Sequence, residues 1–600
     1  MLAATQPERK YLLGVQQSLS GKAWVQRPVA NETHAEFMAG DYDLPPVVAR
    51  AMLARGVTLD NVEAYLLPSM QDMPDPFSLQ DMHEAANIVH SAVDEKKKIA
   101  IFADYDVDGN CSGALLVHFF RLLGVEATLY IPDRYREGYG LNVAAIQKLV
   151  GDDQHRLLIT VDCGSTSVKE VALARQLGAD VIILDHHDVG DVLPHANAMV
   201  NPKQKHDRSG LNYLCAAGVA FLFAVAARAL FRARGQWTSE QQSQLMSMLD
   251  VVALATVADM VPLVGFNRVL VSTGLRYMAQ TQNLGLQSLA DVAKVNLGQV
   301  RAHNLGFHLG PRINAGGRIA ESSLGAQLLL TNNADKARQL AEQLNRCNSE
   351  RQKFERELAD IIIKNASTHE AQGVILAIDH RVLSAADDFR KGVIGLAASR
   401  LLQQTGKPVF AMVPGADGQY TGSARSVPGV DVGALARLAV RQGIASKGGG
   451  HAMAAGVTVP ADKLDDFAQL LATRAPAVLP QADYAVDGLM TPGALTMAFA
   501  KSAERMEPCG QENPPLTVAL AACQVVGAQF YGEKGSFMRC RLQSSAGSIT
   551  AIAGLDRLAP AAAEALRRQG SLLHVAGRPQ PNEYQGRQSV QFSIEDVALA

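Results

Sequence analysis

Four short apolar runs in this chain of 600 residues stop abruptly at an acid or a histidine pair. Ile99–Ala103 runs into Asp104-Tyr105-Asp106-Val107-Asp108-Gly109, Leu157–Val161 into Asp162-Cys163-Gly164, Val181–Leu184 into Asp185-His186-His187, and Leu254–Ala258 into Asp259. The first three read as buried parallel strands, because a continuous stretch of branched apolar residues bounded by turn residues can be covered on both faces. In an open α/β sheet the carboxyl ends of such strands line one crevice, which would gather side chains remote in sequence. The fourth run fits either a strand or the end of a helix. An acid in so apolar a setting needs a partner.

Several carboxylates with one or two imidazoles and no thiolate form a hard oxygen and nitrogen ligand set suited to Mg²⁺ or Mn²⁺. A capping role for Asp104, Asp106 and Asp108 would need only one of them. Three like charges within five residues repel unless a cation neutralises them. The same residues fit the first half of an EF-hand loop, but Leu115 stands where a bidentate Glu is required and Lys98–Ala103 reads as a strand, not a helix. Asp-His-His is weak as a tripeptide. After a buried strand, with Asp185 able to orient one imidazole, it points to a metal site.

The length exceeds one hydrophobic core, and at ~100–200 residues per domain it implies two to four domains. With 48% apolar and 19% charged residues, the composition is that of a folded enzyme. Lys and Arg number 56 against 59 Asp and Glu, a net charge of −3, so any surface for a polyanion must be local. Seven cysteines without a CxxC pair argue for reduced thiols rather than disulfides or zinc, and Cys163 reads as a small buried thiol. Met1 to Gln17 lacks a basic-then-apolar signal pattern. Leu214–Ala227 falls short of the ~18 residues that cross a bilayer and reads as a core helix. A cytoplasmic protein is expected.

The expected organisation begins with an accessory region over 1–80, broken by Pro45, Pro46, Pro68, Pro74 and Pro76. Strand and helix patterns alternate over 81–335, as in a doubly wound, mostly parallel α/β sheet. A long helix over Ala334–Asn365, with Leu340, Leu344, Cys347, Phe354, Leu358 and Ile361 on a 4-3 spacing, makes 336–370 a connecting helix. A smaller α/β lobe follows over 371–478, with strands at Gly373–Ile378 and Pro408–Val413 and a helix from Val393 to Gln404. Short alternating runs at Phe537–Leu542, Ser548–Ala553, Leu572–Ala576 and Ser589–Ile594 make 479–600 an OB-like β-barrel. Residues 530–590 hold eight Lys or Arg (Lys534, Arg539, Arg541, Arg557, Arg567, Arg568, Arg578, Arg587) against four acids. Phe530, Tyr531, Phe537 and Tyr584 are interleaved with them, a mixture suited to phosphate tracking with base stacking. A solvated barrel face with core aromatics explains the same residues. In Gly448-Gly449-Gly450-His451, glycines let backbone N–H groups approach an anion, and Arg425 can grip phosphate bidentately.

The set DYDVDG, VDCG, DHH and VADMVPL, with LGPRINAGGR at 309–318, GSAR at 422–425 and GGGHAMAAG at 448–456, resembles the DHH phosphoesterase superfamily. Within it, order and length resemble the RecJ family of single-strand-specific 5′-to-3′ DNA exonucleases. The resemblance implies Asp104, Asp106, Asp108, Asp162, His186 and Asp259 as ligands of two Mn²⁺ or Mg²⁺ ions, with Asp162 bridging. It implies His187 beside the scissile phosphate with Asp185 supporting it. It implies Arg312, Asn314 and Arg318 in the first lobe, and Ser423, Arg425, Gly449, Gly450 and His451 in the smaller DHHA1 lobe, as substrate-binding residues. Arg390 stands where relatives carry a His before the Gly-Val-Ile-Gly turn. The function implied is hydrolysis of single-stranded DNA from its 5′ end to mononucleotides in repair and recombination, by a monomer working with single-strand-binding protein and a helicase. The alternatives are a phosphodiesterase for oligoribonucleotides or cyclic dinucleotides, and a non-catalytic replication scaffold of the same fold.

Overall fold

The computed structural model describes residues 10–134, 136–365, 369–371, 374–378, 394–415, 418–476, 479, 481–532, 535–584 and 587–600. Arg390 and Lys534 lie outside these residues, as do the side chains of Leu358, Ile361, Tyr584 and Arg587. The chain divides into two compact units. One comprises Glu63–Lys353 and Glu507–Pro514, the other Met1–Val62, Phe354–Met506 and Pro515–Ala600.

The first unit is built on a parallel sheet of five strands: β1 (Ile99–Ala103), β2 (Ala127–Tyr130), β3 (Leu157–Val161), β4 (Asp180–Leu184) and β5 (Ala198–Val200), in the order β2-β1-β3-β4-β5. Ile99, Ile101, Leu157, Ile159, Ile182 and Leu184 enter one core, while Ala100, Phe102, Leu158, Val181 and Ile183 enter another on the opposite face. Both faces are dry, which is why the strands read as unbroken apolar runs.

Four helices of this unit position the site: α1 (Val107–Leu122), α2 (Ala216–Ala233), α3 (Leu249–Ala258) and α4 (Gly310–Ile319). By length and composition α2 could cross a membrane, but 72% of it is buried inside the protein, with Phe221 and Phe223 fully enclosed. The fourth apolar run belongs to α3, and Asp259 is its C-cap residue. Leu249 to Thr256 are all buried, so no one-sided period marks that segment as a helix. Glu507–Pro514 packs here too. The Arg268 guanidinium lies 3.7 Å over the Tyr65 ring and donates to the carbonyls of Glu507 (2.6 Å) and Pro508 (3.2 Å).

Helix α5 (Ala334–Asn365) begins in the first unit, where Leu340 and Leu344 join the core. From Phe354 its residues group with the second unit. There, β6 (His369–Ala371), β7 (Val374–Ile378), β8 (Val409–Pro414), β9 (Gln419–Arg425), β10 (Lys447–His451) and β11 (Ala454–Pro460) form a sheet in the order β10-β11-β9-β8-β7-β6, with α6 (Ile394–Thr405) and α7 (Val432–Arg441) packed on it. The C-terminal strands β12 (Gly488–Met490), β13 (Val518–Tyr531), β14 (Phe537–Ser544), β15 (Gly547–Gly554), β16 (Leu572–Tyr584) and β17 (Arg587–Leu599) run in the order β12-β13-β14-β15-β17-β16. Pairing of β13 with β16 closes the barrel. The N-terminal segment adds to this unit. Ala23–Gln26 pairs in parallel with Asp483–Val486, the Trp24 indole donates to Asp596 at 2.9 Å, and Arg55 grips Asp487 at 2.8 and 2.9 Å.

Candidate metal centre

Neighbouring strands β1, β3 and β4 pair in register through Ala103, Val161 and Leu184, so the next residue of each is an acid: Asp104, Asp162 and Asp185. The backbone ladder runs one step further, from Asp104 N to Val161 O (3.3 Å), Asp162 N to Leu184 O (3.0 Å) and Asp185 N to Val200 O (3.1 Å). Asp162 takes a left-handed φ of 63°, a conformation few residues other than Gly, Asn and Asp tolerate. Asp106 caps α1 by accepting from the N–H groups of Asp108 (2.9 Å) and Gly109 (3.2 Å). A Cβ at residue 109 would lie 2.1 Å from the Asp104 carbonyl, so this turn closes only around glycine. The Asp108 carboxylate accepts from Ala216 N (2.6 Å) and Ala217 N (2.8 Å), the free first-turn donors of α2.

The side chains meet in overlapping groups. Ligand atoms of Asp104, Asp106 and Asp162 lie within 4.8 Å of one another, as do those of Asp108, His186 and Asp259, and those of Asp162, His186 and His187. His186 Nε2 stands 3.2 Å from Asp162 Oδ1, 3.7 Å from Asp259 Oδ2 and 3.8 Å from Asp108 Oδ2. Asp104 Oδ1, Asp162 Oδ1 and His186 Nε2 are buried without a hydrogen-bond partner. Such atoms are costly unless something satisfies them. Burial first, then mutual repulsion, pushes Asp104 and Asp259 up to about 8 and Asp108 up to about 7, and Asp162 is displaced in the same direction. Burial holds the His186 imidazole down at about 4, leaving it neutral and able to ligate. A concave cluster of crowded carboxylates and a neutral imidazole with orphaned lone pairs fits hard divalent cations.

Asp185 behaves differently. Burial alone would raise it, but N–H groups of Ser165 (3.0 Å), His186 (2.7 Å) and His187 (3.1 Å), with the His187 Nδ1 contact at 2.9 Å, hold it well below the ordinary carboxylate range. In return Asp185 more than offsets the burial of His187 and raises its pKa. Tyr139, 56% exposed, places its hydroxyl 3.3 Å from His187 Nε2. It has no counterpart among the residues singled out from sequence. The signal that could have found it is an aromatic residue between Gly138 and Gly140, both at positive φ. Cys163 is buried, and burial raises its thiol pKa.

On α4, the Asn314 side-chain oxygen accepts from Val107 N at 3.2 Å and so holds the acidic turn. Arg312 donates to Asn345 Oδ1 (3.0 Å) and the His308 carbonyl (2.6 Å). Arg318 is half-buried in the last turn.

Ser423, Arg425, Gly449, Gly450 and His451 belong to the second unit. Register places Ser423 and Gly449 opposite Gly456, and Arg425 and His451 opposite Ala454, so these residues share one face of the sheet. A Cβ at Gly449 or Gly456 would meet nothing within 4 Å. Gly450 points the other way, and its carbonyl accepts from Arg437. The glycine run is an edge strand among the described residues, β10, rather than a loop. On the barrel, Phe537, Arg539 and Arg541 alternate outward along β14 while Met538, Cys540 and Leu542 point inward. Tyr531 pairs across from Phe537, and Arg567 lies 5.3 Å over the Phe530 ring. Arg568 and Arg578 are occupied by Glu564 and Glu595, which narrows the basic strip.

Family models match three segments: the DHH family, N-terminal domain over residues 98–256, the DHHA1 domain over 377–475 and the RecJ OB domain over 486–596. Fold and site thus define a two-lobed DHH-type protein with an appended OB barrel. The single-stranded-DNA-specific exonuclease RecJ of Escherichia coli is 35% identical over 79% of this chain and 82% of its own length, and that of Dickeya dadantii 33% over 92% and 96%. The crystal structure of RecJ with Mn²⁺ from Thermus thermophilus superposes with a TM-score of 0.77 at 26% identity, covering 96% of this chain and 79% of that one. The chain belongs to the RecJ family.

Proposed function

We infer that this protein is a metal-dependent exonuclease that hydrolyses single-stranded DNA from its 5′ end to 5′-mononucleotides. The observation that carries the reading is the convergence of Asp104, Asp106, Asp108, Asp162, His186 and Asp259, with three buried ligand atoms left unpartnered. These residues would hold two Mn²⁺ or Mg²⁺ ions, with Asp162 lying in groups on both sides. When bound, such a pair supplies an activated water and neutralises charge developing on the phosphate and the leaving 3′ oxygen. Asp185 orients His187 and raises its pKa, so that the imidazole offers an N–H to a phosphate oxygen, and Tyr139 flanks it. Asn314 holds the Asp106–Asp108 turn in place. Ser423, Arg425 and His451 take substrate phosphate over the side-chain-free strip at Gly449 and Gly456. The barrel stacks successive bases on Phe530, Tyr531 and Phe537.

The intact acid set supports an enzyme rather than a scaffold, and the barrel supports a polymer substrate rather than a dinucleotide. In this reading residues 81–335 and 371–478 are the two catalytic lobes, and the protein acts in the cytoplasm as a monomer. Gel filtration and pull-down with single-strand-binding protein and helicase test its assembly. Digestion of single strands blocked at the 5′ or 3′ end, with EDTA and then Mn²⁺ added, tests the rest. Mononucleotides should appear only from a free 5′ end and only with metal. Release from 5′-blocked strands, or undiminished cleavage in EDTA, would overturn the reading.

A further inference from the structure

Helix α4 and the π-helical turn that leads into it, Leu305–Leu309, run along one rim of the cation cluster. At one end Gly306 and Gly310 seat this segment on α3: a Cβ at the first would lie 3.4 Å from Val257 Cγ1 and at the second 3.0 Å from Ala258 Cβ, just ahead of Asp259. Further along, Asn314 accepts from Val107 N, and a Cβ at Gly317 would lie 3.1 Å from the Tyr105 carbonyl. The segment therefore spans from the acid that ends α3 to the acidic turn before α1.

Phe307, Pro311, Asn314 and Arg318 follow an i, i+4, i+7, i+11 spacing, which puts them on one helical face. The bond from Val107 N to Asn314 shows that this face borders the acidic turn, while Ile313, Ala315 and Gly316 are buried. Phe307 ends the stripe beside α3, roughly 10 Å along the axis from Asn314. Its ring is 72% exposed. His303 stacks on that ring at 4.6 Å between centroids and 27° between planes, and His308 meets His303 edge-on at 5.6 Å. One face of the phenyl ring is thus backed by an imidazole that is itself held, and the rest stands open. A lone exposed phenylalanine needs no explanation. A ring stacked in advance, on a π-helical turn at the rim of the cation cluster, is a different case, because such turns recur at functional sites.

We propose that Phe307, backed by His303, stacks a nucleobase of the strand whose phosphate lies at the cation cluster, and so fixes the register of that strand. This rests on the reading of the centre as a single-strand nuclease. A neutral ring with an open face has nothing to offer a phosphate, whereas every base presents a π-face to it. Phe307 is a positioning residue in this scheme. A merely structural ring would be indifferent to whether the strand carries a base opposite it.

The test pairs a change in the protein with a change in the strand. Binding to the full chain in Mn²⁺ is followed by fluorescence anisotropy, using single strands with hydrolysis-resistant phosphorothioate linkages and one abasic site moved stepwise from the 5′ end. In the wild type one position near that end should weaken binding by about fivefold or more, the worth of a stacked base. Phe307→Ala should bind the intact strand as weakly as the wild type binds that abasic strand, and the same abasic site should cost it nothing further. Phe307→Tyr should keep the wild-type pattern. The melting temperature of Phe307→Ala should not move, since the ring is exposed. Cleavage of ordinary strands, run in parallel, should show a raised KM with little change in kcat. Unaltered binding of the intact strand by Phe307→Ala, or abasic costs that are the same in both proteins at every position, would overturn the proposal. Absence of cleavage by the wild type would instead remove the nuclease reading, and the binding cycle would still decide the role of Phe307.

Discussion

Burial pushes Asp104, Asp108, Asp162 and Asp259 up, whereas Asp185 receives enough N–H donors to be held well below the ordinary carboxylate range. That contrast separates a residue that orients its neighbour from residues that wait for a cation. Asp185→Asn removes the charge that raises His187 while keeping the shape. The His187 pKa, followed by NMR titration, should fall, and the cleavage rate should drop by about 10- to 100-fold, as expected when a group that orients a functional imidazole is removed. An unchanged His187 titration would show that Asp185 has no such role. A second prediction concerns the metal-free chain. Asp104, Asp108 and Asp259 titrate at about 7 to 8 in the fold against 3.8 as free groups, so the native state holds protons that the unfolded state has lost. Their contribution to stability is complete below pH 4 and disappears as pH rises through 7 to 8. His186, shifted down to about 4, is neutral in both states above its ordinary 6.5 and does not blur that window. In EDTA the melting temperature should fall between pH 6.5 and 8.5 by several degrees, since ~1 kcal/mol moves a domain of this size by about 2–4 °C. Adding Mn²⁺ should remove the decline. A flat metal-free profile would mean that the acids are not crowded as described.

At the level of elements, the sheet was legible because strands covered on both faces leave unbroken apolar runs, and the acids were legible because each stands one residue beyond such a run. The helix carrying Asp259 was ambiguous for the same reason in reverse. A segment buried all round shows neither the two-residue nor the 3.6-residue period. The engagement of Asp108 with the start of α2 could not be read at all, because it joins residues 108 apart or more. The β10 glycines were read as a place of close approach, but only register shows that Gly449 and Gly456 share a face with Ser423, Arg425 and His451. Gly456→Val tests that face. A β-branched residue suits a strand, and its Cβ meets nothing within 4 Å, so the fold should be as stable or more so. Substrate KM should rise by about tenfold or more as phosphate is held off. Unaltered KM in a folded variant would remove this face from the substrate path.

Over the whole molecule, sequence order and packing order diverge. The N-terminal strand Ala23–Gln26 belongs with the barrel, and Glu507–Pro514 belongs with the first unit. Cutting the chain near residue 480 would take the Glu507 and Pro508 carbonyls from Arg268 and the acid from Trp24, so a truncation would confound lost binding with lost stability. Replacing exposed Phe530, Tyr531 and Phe537 together with Ala avoids that. Affinity for long strands should fall by ~1–3 kcal/mol per stacked base, with dinucleotide hydrolysis and melting temperature unchanged. Equal affinity would return these rings to a bystander role.

Trp24 and Asp596 are 572 residues apart. Synthesised at about 5–20 residues per second, the indole emerges roughly half a minute to two minutes before its acceptor is made. The segment around Trp24 is thus locked only once the last strand has been made, and a chain released before Asp596 leaves that indole without its acceptor.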